Sequence, residues 1–237
     1  MEFYLHYVER GKGEPLVLLH GNGEDSSYFC AQLAHFSKRY RVIAVDTRGH
    51  GNSPRGEGDL TLSRCADDLE ALLDRLGLEQ VNLLGFSDGG NIALLFALRY
   101  PTRVRRLILN GANLSPKGVK RRVQFPIVLG YALLSFIARW DPKAVAKREI
   151  LGLMVREPHI EPVELARLNF PVLVIAGTKD MIRTKHTECI AAAIPGARLV
   201  LLPGDHFIAA KRSEAFNRAV DSFLEDTAVA VSGKKEE

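Results

Sequence analysis

Five consecutive residues, Gly85-Phe86-Ser87-Asp88-Gly89, have the clearest chemical potential in this chain. A serine hydroxyl is a weak nucleophile until a base takes its proton, and it must stand clear of the backbone to meet a substrate. Glycines two residues to either side permit a sharp turn, because a Cβ at Gly85 or Gly89 would run into neighbouring backbone. The pentapeptide alone is a weak signal, arising by chance in about one chain in twelve of this length. A serine in a glycine-rich turn could equally cap a helix. The setting favours chemistry: Val81–Phe86 reads as a buried strand and Asn91–Tyr100 as a helix, so Ser87 falls at a strand-to-helix turn. Asp88 is off the motif's centre. Its N–H is expected to point into the site, while its carboxylate points away or caps the helix.

A serine nucleophile needs a base, and histidine is the usual one. Seven are present: His6, His20, His35, His50, His159, His186 and His206. His206 follows the last apolar run in a Pro-Gly-Asp-His-Phe loop, which places it at the carboxyl edge of a sheet, as Ser87 is placed. His35 and His186 fall in helical patterns, His6 on an edge strand and His159 in an insertion, so packing or surface roles are expected for these four. Asp180 follows the run Val172–Ala176 in Gly-Thr-Lys-Asp, again at the carboxyl edge, and could hold and orient the imidazole. Asp205 adjoins His206, but sequence neighbours rarely face each other across a tight loop. An oxyanion needs two backbone donors. Asp88 N–H is one candidate; Asn22 N–H, in His20-Gly21-Asn22-Gly23 after another strand, is the second. His20 is expected to bond loop backbone.

The elements that must position these groups are legible as alternating runs. Strands are expected at Phe3–Val8, Leu16–His20, Val42–Val45, Val81–Phe86, Val104–Leu109, Val172–Ala176 and Arg198–Leu202. Most are continuous apolar runs, the pattern of parallel strands buried on both faces. The first alternates, and Gly11 and Gly13 follow it, so it reads as an antiparallel edge strand turning into the next. Helices are expected at Ser26–Ser37, Thr61–Leu76, Asn91–Tyr100, Thr184–Ala193 and Ser213–Leu224. This alternation predicts an α/β fold with a doubly wound, mostly parallel sheet.

Between Gly111 and Phe170 the rhythm breaks: helical patches are separated by Pro116, Pro126, Pro142, Pro158 and Pro162. A short helical cap inserted at 113–168 is expected, dividing a core domain into 1–112 and 169–226. Residues 227–237 are expected to be a frayed tail. Phe125 to Ala138 is the most apolar stretch. It is too short to span a bilayer, and Pro126 and Gly130 are expected to interrupt it. A core or lid helix is the favoured reading and a membrane-interface helix the alternative. Phe125, Phe136 and Trp140 are candidates to line a substrate pocket, which would favour uncharged, apolar acyl groups of short to medium length.

The 237 residues are 46% hydrophobic and 25% charged, with formal net charge +4, the composition of a globular protein. No arginine-rich stripe interleaved with aromatics suggests nucleic acid. Eight basic residues and one acid between Lys117 and Arg148 read as a solvated basic face. Cys30, Cys65 and Cys189 lack CxxC spacing and read as buried free thiols of a reducing compartment. With an N-terminus unlike a signal peptide, the expectation is a cytoplasmic enzyme acting on a small-molecule substrate. No nucleic acid, stable membrane insertion, metal or organic cofactor is expected.

The chain resembles the α/β-hydrolase superfamily of serine hydrolases. The resemblance rests on HGNGED at 20–25, DTRGHGNSPRG at 46–56, GFSDGG at 85–90, GTKD at 177–180 and GDHF at 204–207, and spans nearly the whole chain. It implies the triad order Ser87, Asp180, His206 and a structural role for the loop from Asp46 to Ser53. The extra N-terminal strand common in the family is short or missing here, and the cap is small. Ser87 stands where carbon–halogen and epoxide hydrolases carry Asp, which argues against those chemistries. Hydrolysis of small to medium carboxylic esters or thioesters is the first expectation. Cleavage of a carbon–carbon bond or amide by the same triad is the second, and a ligand-sensing protein with weak turnover is the third.

Overall fold

The computed structural model describes residues 3–232, with side chains to 226. Seven strands form one sheet: β1 (Tyr7–Arg10), β2 (Glu14–Leu19), β3 (Tyr40–Val45), β4 (Val81–Phe86), β5 (Val104–Asn110), β6 (Val172–Gly177) and β7 (Arg198–Leu202). Their order is β1-β3-β2-β4-β5-β6-β7, and only the β1–β3 pair is antiparallel. This is the α/β-hydrolase fold. The apolar runs of β4 and β6 are buried along their whole length, as a strand covered on both faces must be.

Helices cover both faces. α1 (Cys30–Phe36) and α8 (Ser213–Ser232) pack on one, where Phe29, Phe36, Phe216 and Phe223 fill the core. α2 (Leu62–Arg75), α3 (Asp88–Arg99) and α6 (Thr184–Ala193) pack on the other, with Leu69, Leu73, Phe96 and Ile190. The ends of α2 lie where the sequence places them. The Thr61 side chain accepts from the Arg64 N–H, and Gly77 turns the chain at φ +64°.

α4 (Arg121–Ile137) and α5 (Pro142–Arg156) lie between β5 and β6 and pack on each other; α7 (Ile208–Lys211) follows the β7 loop. α4 runs without a break through Pro126 and Gly130, against expectation. Pro126 deprives only the Arg122 carbonyl of its helical donor, and that residue is exposed at the helix start. No helix among the described residues is long and apolar enough to cross a membrane.

Other expectations need correction. The edge strand is Tyr7–Arg10 rather than Phe3–Val8, because the Phe3 ring lies under the Arg48 guanidinium, 3.7 Å from its carbon. It pairs with β3 and not with β2, whose two sides are taken by β3 and β4. The turn at Ser87 feeds straight into α3 at Asp88, three residues earlier than expected. Cys65 is buried, but Cys30 and Cys189 are exposed, each on the outward side of its helix. Of the tail expected to fray, 227–232 continue α8 and 233–237 lie outside the described residues.

Candidate active site

Register brings three strand ends together. Leu19 of β2 pairs with Gly85, and Phe86 pairs with Asn110 of β5, so the loops after β2 and β5 flank the turn after β4. β4 ends at Phe86 and α3 begins at Asp88, leaving Ser87 alone to reverse the chain. It does so at φ +54°, ψ −120°, the only non-glycine residue with positive φ among those described. Such a conformation costs about 1–3 kcal/mol and persists only where its surroundings fix it. Here the Ser87 N–H donates to the Asn110 carbonyl at 2.8 Å, and the Ser87 carbonyl accepts from Asn91 N–H at 3.0 Å. A Cβ at Gly85 would lie 2.2 Å from the Gly89 carbonyl oxygen, and one at Gly89 2.1 Å from that of Leu19. The two glycines let β2, β4 and α3 meet with backbone against backbone.

The loops after β6 and β7 are joined in the same way. Thr178 N–H donates to Leu202 O and Lys179 N–H to Gly204 O, each at 2.8 Å. A Cβ at Gly177 would stand 2.1 Å from the Asp205 carbonyl oxygen. This pairing sets Asp180 against His206. The His206 Nδ1–H donates to Asp180 Oδ1 at 2.7 Å, since a carboxylate can only accept. That leaves Nε2 to accept from the Ser87 hydroxyl at 3.0 Å. Asp180 Oδ1 also accepts the Ile182 N–H at 2.8 Å, the Lys120 ammonium bonds the Asp180 carbonyl, and all three residues of the chain Ser87–His206–Asp180 are buried. The geometry is that of a hydroxyl whose proton can pass to an imidazole held in one tautomer. Gly111 sits beneath it: a Cβ there would lie 2.7 Å from His206 Cε1.

His159 is exposed, and His20, His6, His35 and His186 make structural bonds. His20 Nδ1–H donates to Gly21 O at 2.7 Å and Nε2 accepts from Thr47 N–H at 3.0 Å; burial pushes its pKa down to about 4, so it stays neutral. His6 pairs with Asp46, His35 with Asp221, and His186 Nε2 accepts the Leu114 N–H. Asp46 also accepts from the Ser26 and Asn52 N–H groups, bracing the 46–53 loop. Asp205 turns outward to Phe207 N–H and Lys211.

Asn22 and Asp88 face each other across the turn. Among the described residues neither backbone N–H meets an acceptor. Their side chains do more than the sequence suggests. Asp88 neither points away nor caps α3. Its carboxylate is buried, accepting from Asn22 Nδ2 at 2.9 Å and Asn91 Nδ2 at 3.2 Å. Asn22 Nδ2 also donates to the Ile150 carbonyl of α5 at 2.7 Å, so one carboxamide links the β2 loop, the serine turn and α5. Burial raises Asp88 to about 6 against the opposing bond from Asn22. Burial likewise raises Glu157, which accepts Leu62 N–H, and Glu24, which accepts Gly21 N–H.

The expected apolar wall does not form. Phe125, Phe136 and Trp140 are 72%, 55% and 69% exposed, because α4 turns its large apolar side chains outward while Gln124 and Tyr131 face α5. A cleft of about 450 Å³ between α4, α5 and residues 59–61 is instead lined by Asp59, Arg148, Glu149, Arg156 and Glu157, with Tyr131 and Ser135. Among the described residues no group of three or more His, Cys, Asp or Glu side chains converges as a metal site.

The sequence profile described as alpha/beta hydrolase fold matches residues 14–132. The chain belongs to the α/β-hydrolase fold family. It is 30% identical over 249 residues to the serine hydrolase BPHL of Mus musculus, covering 94% of this chain and 83% of that protein. It is 33% identical over 175 residues to 2-hydroxymuconate semialdehyde hydrolase of Pseudomonas putida, covering 73% of this chain and 58% of that protein. The crystal structure of the enol-lactonase from Burkholderia xenovorans LB400 superposes with a TM-score of 0.76 at 28% identity, covering 93% of this chain and 96% of that one. This α/β-hydrolase chain is therefore a hydrolase.

Proposed function

We propose that this hydrolase cleaves carboxylic esters or thioesters, lactones included, through an acyl-enzyme on Ser87. The supporting observation is the continuous chain from Ser87 Oγ to His206 Nε2 and from His206 Nδ1 to Asp180 Oδ1, at 3.0 and 2.7 Å. His206 takes the hydroxyl proton as Ser87 attacks the carbonyl carbon. Asp180 stabilises the imidazolium, and the Asn22 and Asp88 N–H groups hold the oxyanion. The imidazolium returns the proton to the leaving oxygen or sulfur. Water then repeats the cycle on the acyl-enzyme. The likeness to an enol-lactonase structure supports a carbonyl–oxygen substrate. The partner is a small molecule, and the reading calls on no cofactor.

The test is labelling by a fluorophosphonate probe followed by an ester and lactone panel. The wild-type chain labels on Ser87 and hydrolyses p-nitrophenyl esters; Ser87→Ala and His206→Ala each lose on the order of a thousandfold or more in kcat, while His186→Ala stays active. Absence of labelling and turnover in a folded protein would favour a ligand-sensing role. The P. putida relative supports a second reading, hydrolysis of a carbon–carbon bond next to a carbonyl. Turnover of a vinylogous diketone with inert esters would select it.

A further inference from the structure

α4 carries its largest apolar side chains on its exposed side. Between Arg122 and Arg139 its exposed residues are all apolar, with Phe125, Leu129, Leu133, Phe136 and Ile137 among them, and Trp140 continues the stripe beyond its end. Beyond the two arginines at its start, the polar side chains Gln124 and Ser135 face inward: Gln124 donates to the Met154 carbonyl of α5, and the Ser135 hydroxyl is buried without a partner among the described residues. A stripe of such side chains on a helix of about 25 Å is larger than a solvated face needs and marks a surface that something else covers.

The charges around the stripe say what covers it. Arg121 and Arg122 stand exposed at one end, and Arg139 and Lys143 at the other. The only carboxylate from residue 113 to 148 is Asp141, and it is engaged at the start of α5, accepting the Lys143 N–H at 2.9 Å. A second copy laid antiparallel on this face would set Arg121 and Arg122 against Arg139 and Lys143, cation on cation. A parallel copy would set each cationic end on itself. A planar anionic surface meets both ends favourably, takes the apolar ridge without needing a matching groove, and suits a tryptophan at the boundary of the apolar zone.

We propose that the outer face of α4 docks on an anionic phospholipid membrane surface, with Phe125, Leu129, Leu133 and Phe136 entering the headgroup–acyl boundary and the flanking arginines and Lys143 meeting lipid phosphates. The attachment is peripheral, and it is independent of the chemistry assigned to Ser87.

The test is flotation of the full chain with vesicles of phosphatidylcholine alone and of phosphatidylcholine with about one third phosphatidylglycerol. Variants Leu129→Asp/Leu133→Asp and Arg121→Glu/Arg122→Glu are compared after thermal denaturation shows that they fold. The wild-type chain floats with the anionic vesicles and about tenfold less with the neutral ones. High salt weakens the binding, and both variants lose it. Failure of the wild-type chain to float with anionic vesicles overturns the proposal. So does binding that both folded variants retain. Concentration-dependent dimerisation abolished by Leu129→Asp/Leu133→Asp, without flotation, would assign the face to a second copy instead.

Discussion

Ser87 holds a backbone conformation that its side chain disfavours, and the same conformation lifts its hydroxyl toward His206. The strain predicts that Ser87→Gly removes activity while raising stability. Relief of about 1–3 kcal/mol outweighs the roughly 0.5–1 kcal/mol that glycine's freedom costs in the unfolded chain. Thermal denaturation should show a Tm a few degrees above wild type; a fall would mean that Ser87 is not strained. Asp88 makes a second prediction. Its pKa is raised by burial to about 6 from an ordinary 3.8. A carboxyl with a raised folded-state pKa stabilises the fold below pH 3.8, and that contribution is lost as pH rises through about 6. Asp88→Asn has no such loss, so its Tm relative to wild type should climb between pH 4 and 7; a constant difference would contradict the shift. The three residues of the serine–histidine–aspartate chain were legible because each sits in a glycine-punctuated loop after an apolar run. The Asn22–Asp88 bond was not, because it joins two residues far apart in sequence, and the same Asn22 amide is also held by the Ile150 carbonyl of α5.

At the scale of elements, close approach explains what the sequence reveals. Buried strands announce themselves as unbroken Val, Leu and Ile runs, and the glycines mark where backbones touch. Gly89→Ala would drive a Cβ to 2.1 Å from the Leu19 carbonyl oxygen, whereas Gly23, at φ +72°, has nothing within 4 Å of its added Cβ. Gly89→Ala is therefore expected to cost about 3 kcal/mol or more, and Gly23→Ala about 1–2 kcal/mol from its backbone conformation alone. Chemical denaturation orders the two, and equal losses would show that the β2–α3 contact gives way easily. Gly111 could have been noticed by the same reasoning, since it ends a strand beside the serine turn, but its contact with His206 depends on how three loops converge. The edge strand and α4 were misread for a common reason. Alternation and apolar content say which side chains avoid water, not which neighbour covers them. Phe3 found Arg48 instead of the sheet, and α4 turned its largest apolar side chains outward.

Over the whole molecule, α5 and the residue after it are tied to the core by bonds at Glu149, Ile150 and Glu157. Arg55 grips Glu149 through two bonds of 2.7 and 2.8 Å, Asn22 donates to the Ile150 carbonyl, and Glu157 accepts the Leu62 N–H. The Arg55–Glu149 pair is partly exposed, so it contributes about 1 kcal/mol or less to keeping α5 seated. Breaking it leaves Ser87, His206 and Asp180 untouched, together with the loops that position them. If α5 covers bound substrate, Glu149→Ala should raise KM up to about fivefold while kcat stays within about twofold, the equivalent of about 1 kcal/mol of lost ground-state binding. Arg55→Ala should match it, and the double variant should add little, because both remove one interaction. Steady-state kinetics on the best ester of the panel measures this. A fall in kcat at unchanged KM would mean that the pair acts through Asn22 on the proposed oxyanion donors, coupling the seating of α5 to the chemistry and not to binding alone.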